Sequence, residues 1–337
     1  EAVELAPGIY QARGTGNAAM VVTDEGAVVI DTGLPDQSKE LRRRLDAASG
    51  GARVAVLVAT HAHVDHYGGA DDFTDDGTEV VVHREFLENQ RYLWELAPFF
   101  LRRNRVFYPD DVPNVDNFVV RAAVQRLYPR LAPTRVIDGD HAFELGGRRF
   151  EVLHTPSAEG TDHVCVWLPD EKILFTGDFF GPLFPMFPNL YTIRGEKFRP
   201  PIPYVAALDR LIALEPEMLV PSHFVPIRGR DAIRRDMTKI RDAVQYVHDA
   251  TVDGMNDGKS VHELMRDVRL PPELALSEAH GKVAWSVRGL WEHYSGFFHF
   301  ESTAELYDVP PRAVHADLVR LAGGADAIVA AARAHLA

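Results

Sequence analysis

The stretch ATHAHVDHYGGA, residues 59–70, follows the apolar run RVAVLV and carries His61, His63, Asp65 and His66. A short continuous run of apolar and β-branched residues reads as a buried strand, and the small and polar residues after it end that strand in a loop. Four nitrogen and oxygen donors crowded at one strand end are costly unless they share a positive partner. Zinc and similar metals favour imidazole nitrogen and carboxylate oxygen, and catalytic sites leave a coordination position for water. One histidine here would be an ordinary loop residue or helix cap. The pattern His-x-His-x-Asp-His instead demands a fold that brings further donors to the same place.

Later strand ends supply them. RRFEVLH leads into TPSAEGTDH, which offers Glu159, Asp162 and His163; EKILFTGD ends in Asp178; EMLVPSH ends in His223. Each repeats the order apolar strand, turn, donor. The runs GIYQARG, AAMVVTD and GAVVIDTG predict antiparallel strands, and DQSKELRRRLDAA predicts an amphipathic helix. A strand is expected at 79–82, a mostly helical aromatic-rich stretch over 84–131, strands at TRVIDGD, HAFELGG and DHVCVWLP, and a helix over 203–214. From about residue 229 the pattern turns helical. Ile233, Met237, Ile240, Val244 and Val247 recur at spacings of four and three, a narrow apolar seam on one long helix.

The chain has 337 residues, enough for a large domain and a smaller one, here read as 1–228 and 229–337. A net charge of −13 argues against nucleic acid as the main partner, because phosphate binding needs a basic face. No run of about 18 apolar residues predicts a transmembrane helix, so no membrane partner is expected. The single cysteine, Cys165, excludes an internal disulfide framework and fits a reducing, cytoplasmic setting. Its place in HVCVWL predicts a buried strand residue. The first residue is Glu1 and not a start methionine, which is compatible with a removed leader.

The ordered motifs VVIDTG, THAHVDH, HTPSAEG, TGD and SH resemble the metallo-β-lactamase fold over roughly residues 5–228. That resemblance implies an α/β four-layer αβ/βα sandwich followed by an all-helical segment. It further implies His61 and His63 on one metal, Asp65, His66 and His223 on another, and Asp178 bridging. Most of the superfamily has a histidine two residues after the proline of HTP, where this chain has Ala158; the next residue is Glu159. A glutamate there is similar to the alkylsulfatase branch and would complete the first metal site, with His163 as the alternative. The branch typically bridges with glutamate, so Asp178 departs from it. NLYTIRG resembles the segment in which alkylsulfatases hold the sulfate group, implying Asn189 and Arg194 as substrate-binding residues. The helices over most of 230–336 resemble the alkylsulfatase dimerisation domain and imply a homodimer. This sequence ends before the additional C-terminal domain, related to sterol-carrier proteins, that full-length alkylsulfatases carry.

The expected chemistry is hydrolysis by hydroxide generated on two zinc ions per chain, with iron or manganese as alternatives. Asp65 and Asp178 are the expected catalytic carboxylates, and an alkyl sulfate ester is the expected small-molecule substrate. Arg194 suits a tetrahedral anion because its planar fork donates several hydrogen bonds in fixed geometry. Competing readings are a lactone, β-lactam, thioester or phosphodiester as substrate, an iron-dependent oxygen-reactive protein, or a dimeric binding protein without catalysis. Aromatic and proline-rich residues at 93–108 and 179–188 have two readings: they wall an apolar pocket, or many of the Phe residues only pack the two segments together. His154 is expected to support the site through hydrogen bonds. His83, His141, His248, His262, His280, His299, His315 and His335 are read as ordinary structural histidines.

Overall fold

The computed structural model describes residues 1–107, 128–300 and 302–336. One seven-stranded sheet runs in the order β1 (Val3–Ala6), β2 (Ile9–Ala12), β3 (Ala18–Thr23), β4 (Gly26–Ile30), β5 (Val54–Val58), β6 (Glu79–His83) and β7 (Arg135–Ile137). A six-stranded sheet has the spatial order β13 (Ile227–Arg228), β12 (Met218–Pro221), β11 (Ile173–Gly177), β10 (Val164–Leu168), β9 (Arg148–His154) and β8 (His141–Leu145). The two sheets pack face to face. Val28, Ile30, Val56 and Val58 from the first meet Phe150, Val152, Val166 and Phe175 from the second in one core.

Alternate residues of the same strands point the other way. Ala27 and Val29 of β4 and Leu57 of β5 join Leu41 and Leu45 of helix α1 (Ser38–Ser49) in a second core. Strands covered on both faces read as unbroken apolar runs, which is why GAVVI and VAVLV show no polar alternation. On the outer side of the second sheet, Tyr204 of helix α6 (Pro201–Ala213) stacks on Phe179 with ring centroids 4.7 Å apart. The layers are therefore helix, sheet, sheet, helix, as the α/β sandwich reading expected.

Strand direction gathers the donors. β9 and β11 both run antiparallel to β10, and β12 runs parallel to β11. Hence β9, β11 and β12 all end at one rim. β4 and β5 are parallel to each other in the first sheet, and their ends meet that rim through Val164 N donating to Thr60 O (2.9 Å). Gly177, at the end of β11, has φ +51, and a Cβ there would lie 2.7 Å from His163 Nε2. Only glycine fits that turn without displacing the imidazole.

The short helices α2 (Val64–Tyr67) and α3 (Ala70–Phe73) follow β5, and α4 (Arg84–Glu95) and α5 (Ala97–Asn104) follow β6. Of the rest of the stretch expected to be mostly helical, 108–127 lies outside the described residues, and 128–131 are not helical. Helix α7 (Arg230–Asn256) buries Ile233, Met237, Ile240, Val244 and Val247, the seam read from sequence, and packs on α6, β12 and β13. Helix α8 (Val261–Asp267) begins with a capping box between Ser260 and Glu263. Helix α9 (Val283–Ser295) follows. The chain divides into a compact unit, Glu1–Leu290, and a second unit, Trp291–Ala337. The second unit carries α10 (His315–Leu321) and α11 (Ala325–Leu336). Among the described residues, no helix is long and apolar enough to cross a membrane.

Candidate metal centre

Seven side chains converge at the rim. His61, His63 and Glu159 form one donor group; Asp65, His66 and His223 form another; Asp178 groups with His61 and His66, one residue from each. Donor atoms within each group lie no more than 4.8 Å apart. His66 Nε2 lies 3.4 Å and His223 Nε2 3.1 Å from Asp178 Oδ2. The structure thus brings together every residue that the sequence named as a ligand. Glu159 is within reach of His61 and His63, its Oε2 3.6 Å from His63 Nδ1. His163 is also buried at the rim, but it belongs to none of these groups, and its Nδ1 bonds to Thr155 Oγ1 at 2.8 Å.

The hydrogen bonds behind the imidazoles decide which ring nitrogen faces the centre. The Thr15 carbonyl can only accept, so His223 Nδ1 at 2.6 Å carries the proton and Nε2 keeps its lone pair. Asp31 Oδ2 does the same for His66 Nδ1 at 2.9 Å. Thr60 Oγ1 gives its proton to Asp31 Oδ2 (2.9 Å) and so accepts from His61 Nδ1 (3.0 Å). Glu196 Oε2 accepts from His63 Nε2 at 3.3 Å. Four outer acceptors therefore leave four inward lone pairs, the arrangement that orients metal-bound histidines.

This arrangement fits a cation. The inward nitrogens His61 Nε2 and His63 Nδ1 stand only 2.9 Å apart, so their lone pairs repel unless a positive charge lies between or beside them. His66 Nε2 and Asp178 Oδ1 are buried without a hydrogen bond. Buried polar atoms are nearly always satisfied, and a metal would satisfy both. The charge balance agrees. Burial lowers the His66 pKa, yet Asp178, Asp65 and Asp31 outweigh it and hold it well above the ordinary value. Burial likewise opposes protonation of His63, but Glu196 and Glu159 raise it. His61 is driven well below by burial and by the neighbouring His66 and His63. Burial would raise Asp178, but His66 and His223 pull it well below the carboxylate range. The carboxylates draw positive charge into the cluster.

Three residues of this site escaped the sequence reading. Asp31, fully buried with φ 56, accepts hydrogen bonds from Thr60 N (2.8 Å), Thr60 Oγ1, His66 and Ser222 Oγ (2.7 Å). It ties β4, β5 and β12 together under the donors. Arg199, also buried, donates to Glu159 Oε1 at 2.7 Å, to Glu196 Oε2 at 2.6 Å and to the Asn189 carbonyl at 2.8 Å. That clamp turns the other Glu159 oxygen toward His63. Glu196 closes the circuit between Arg199 and His63. Asp31 stood in the quoted VVIDTG, but nothing local marked Arg199 or Glu196.

Asn189 is buried, and Arg194 lies with Nη2 4.0 Å from Glu196 Oε1, so both sit on the segment clamped to Glu159. A cavity of about 20 Å³, lined by His61, His63, Glu159, Glu196, Lys197 and Tyr92, reaches the cluster from this side. Of the two readings of residues 179–188, packing is the one their aromatics support. Phe179, Phe180 and Phe187 are buried packing residues, with Phe180 edge-on to both Phe179 and Phe184. His154 donates through Nε2 to the Thr161 carbonyl at 2.8 Å, pinning the turn that carries Glu159.

Comparison with known proteins adds an independent line. Residues 12–223 match the family model described as metallo-beta-lactamase superfamily, and residues 260–337 match that described as alkyl sulfatase dimerisation. A linear primary-alkylsulfatase of a Pseudomonas strain is 31% identical over 93% of this chain and 62% of its own length. An (R)-specific secondary-alkylsulfatase from Pseudomonas sp. is 26% identical over 98% of the chain and 53% of its own. The solved structure of a stereoselective inverting sec-alkylsulfatase from Pseudomonas sp. superposes with a TM-score of 0.83 at 24% identity, covering 99% of this chain and 56% of that one. The chain thus spans between about half and three fifths of the length of these relatives.

Proposed function

The chain belongs to the metallo-β-lactamase superfamily, and from that membership we propose that it is a two-metal hydrolase that cleaves sulfate esters of alkyl alcohols. In this reading His61, His63 and Glu159 hold one cation, Asp65, His66 and His223 hold the other, and Asp178 is shared. Divalent cations there, zinc in our reading, would supply Lewis acidity and acidify water. Asp65 and Asp178 are the catalytic carboxylates of this reading, and His66 and His223 hold Asp178 ionised beside the reacting centre. Arg194 and Asn189 bind the sulfate group, and the Arg199 clamp holds their segment against Glu159. Residues 1–228 are assigned the catalytic role and residues 229–337 the dimerisation role, with a second copy of the chain as the partner.

The observation that carries the reading is the Glu159–Arg199 pair at 2.7 Å. It puts a carboxylate rather than an imidazole into the first donor group and couples that carboxylate directly to the Asn189 segment. The alkylsulfatase relatives support the substrate class. The test is metal content by elemental analysis followed by sulfate release from a chain-length panel of linear alkyl sulfates. About two ions per chain and sulfate release are expected. If protein holding two zinc ions leaves every alkyl sulfate intact, the sulfate-ester reading is lost, and lactones, thioesters and phosphodiesters become the substrates to screen.

A further inference from the structure

Asp162 comes from the same turn as Glu159 but belongs to none of the donor groups. Its carboxylate is buried behind the loop that carries His61 and His63. Ala62 N, between those two histidines, donates to Asp162 Oδ2 at 2.7 Å. Asn89 Nδ2, from α4, donates to Asp162 Oδ1 at 2.6 Å and to Thr161 Oγ1 at 3.2 Å. Lys197 Nζ can only donate, and at 3.2 Å it turns the Asn89 oxygen toward itself and the amide nitrogen toward Asp162. A Cβ on Gly160 would lie 2.3 Å from Asp162 Oδ1, so glycine leaves the room that this carboxylate occupies.

The pair bears on the metal centre through the loop it restrains. His61 Nε2 and His63 Nδ1 stand 2.9 Å apart, and in the metal-free chain their lone pairs push the two rings away from each other. Packing does not oppose that motion on every side. Ala62, Asn89 and Asp162 line the same cavity as His61, His63 and Glu159. Beside an open space the restraint falls to hydrogen bonds, and the bond from Ala62 N to Asp162 holds the residue between the two ligands.

We infer that Asp162 and Asn89 are positioning residues for the first metal, which together hold the His61–His63 loop in its binding conformation. This rests on the two-metal reading and deepens it by giving the first site a support of its own. The histidines of the second group are backed instead by Asp31 and the Thr15 carbonyl. Loss of the Asp162–Asn89 pair should therefore weaken one site and spare the other.

The test measures zinc affinity of the 337-residue chain by competition with a chromophoric chelator, in two backgrounds. His223→Ala removes a ligand of the second group, and Glu159→Ala removes one of the first. Asp162→Asn sets an amide N–H against a donor, and Asn89→Asp sets two carboxylates together. Each is expected to weaken zinc binding about 10- to 100-fold in the His223→Ala background, the range for groups that orient metal ligands. Neither should change it in the Glu159→Ala background. Combining Asn89→Asp with Asp162→Asn exchanges donor and acceptor, and this double variant should recover most of the loss. A role confined to folding would not produce that rescue. Native affinity in the single variants, equal weakening in both backgrounds, or no recovery in the exchanged pair overturns the assignment. If the native chain itself binds no zinc, the two-metal reading fails and the assignment falls with it. If the native chain binds two ions and the single variants match it, only the Asp162–Asn89 assignment has failed.

Discussion

The rim of the sandwich and the C-terminal arm satisfy their side chains in opposite ways. At the rim, charged and polar groups are buried and most are answered from inside the chain: Arg199 by two carboxylates, Asp31 by four donors, each inward histidine by an outer acceptor. In the arm, from Trp291 to Leu336, none of the described residues is buried. Phe297, Phe300, Leu321 and Leu336 are each at least 75% exposed. A single folded copy leaves these apolar groups in water, and surfaces of that kind mark protein–protein contact. One region answers most of its polar groups from within the chain; the other leaves its apolar groups facing water.

The sharpest way to break this contrast is to remove the internal answer. Asp31→Ala leaves Thr60, Ser222 and His66 without their acceptor and frees the inward tilt of His66. Losing one partner of a buried charged network costs about 3–5 kcal/mol. Urea unfolding should show a loss of that size, together with fewer bound metal ions. A loss below about 1 kcal/mol would mean that the network is not holding the rim.

Stripping the cations is expected to act next most strongly. A ligand that binds only the folded chain stabilises it by about 4 kcal/mol when present at a thousand times its dissociation constant. Chelation should therefore lower the melting temperature of the native chain. In Asp31→Ala, whose donors are already disordered, the drop should be much smaller. Equal drops in both would separate metal binding from the Asp31 network.

The same contrast explains what could be read beforehand. His61, His63, Asp65 and His66 were legible because they occupy one strand end, and Asp178 and His223 because each closes an apolar strand. Chain order alone carried that signal, and strand direction merely delivered it to one rim. Arg199 and Glu196 were illegible because their role exists only once positions 63, 159, 189, 196 and 199 meet in space. The aromatics at 179–188 left two readings open for a related reason: composition shows that they are apolar, not which side of the segment faces solvent. The seam from Ile233 to Val247 was legible as a buried stripe, but which element covers it was not.

The arm is tested by charging its surface. Leu321→Asp places a carboxylate on α10, in an apolar face that a second copy is expected to cover. Burying that charge should weaken the dimer at least tenfold, about 1.4 kcal/mol, as read by sedimentation at several protein concentrations. Metal stoichiometry should be unchanged, because the donors lie entirely within Glu1–Leu290. Loss of metal in this variant would show that the two regions are energetically one.

The smallest effect concerns acid sensitivity inside the first unit. His83 caps α4, its Nδ1 accepting from Glu85 N at 3.3 Å, and its ring stacks on His154 with centroids 3.7 Å apart. Burial, and then the neighbouring His154, lower its pKa to about 4. The unfolded chain takes up this proton nearer 6.5. Between those values the unfolded state binds more protons, so the stability His83 contributes is complete above about 6.5 and fades as pH falls toward about 4. His83→Asn keeps a capping acceptor and removes the titration. The native chain should therefore lose about 1 kcal/mol relative to the variant across that window, a figure reduced from the full shift because water still screens part of the ring pair. Parallel pH profiles for the two proteins would place the acid sensitivity of the fold in groups other than this stacked pair.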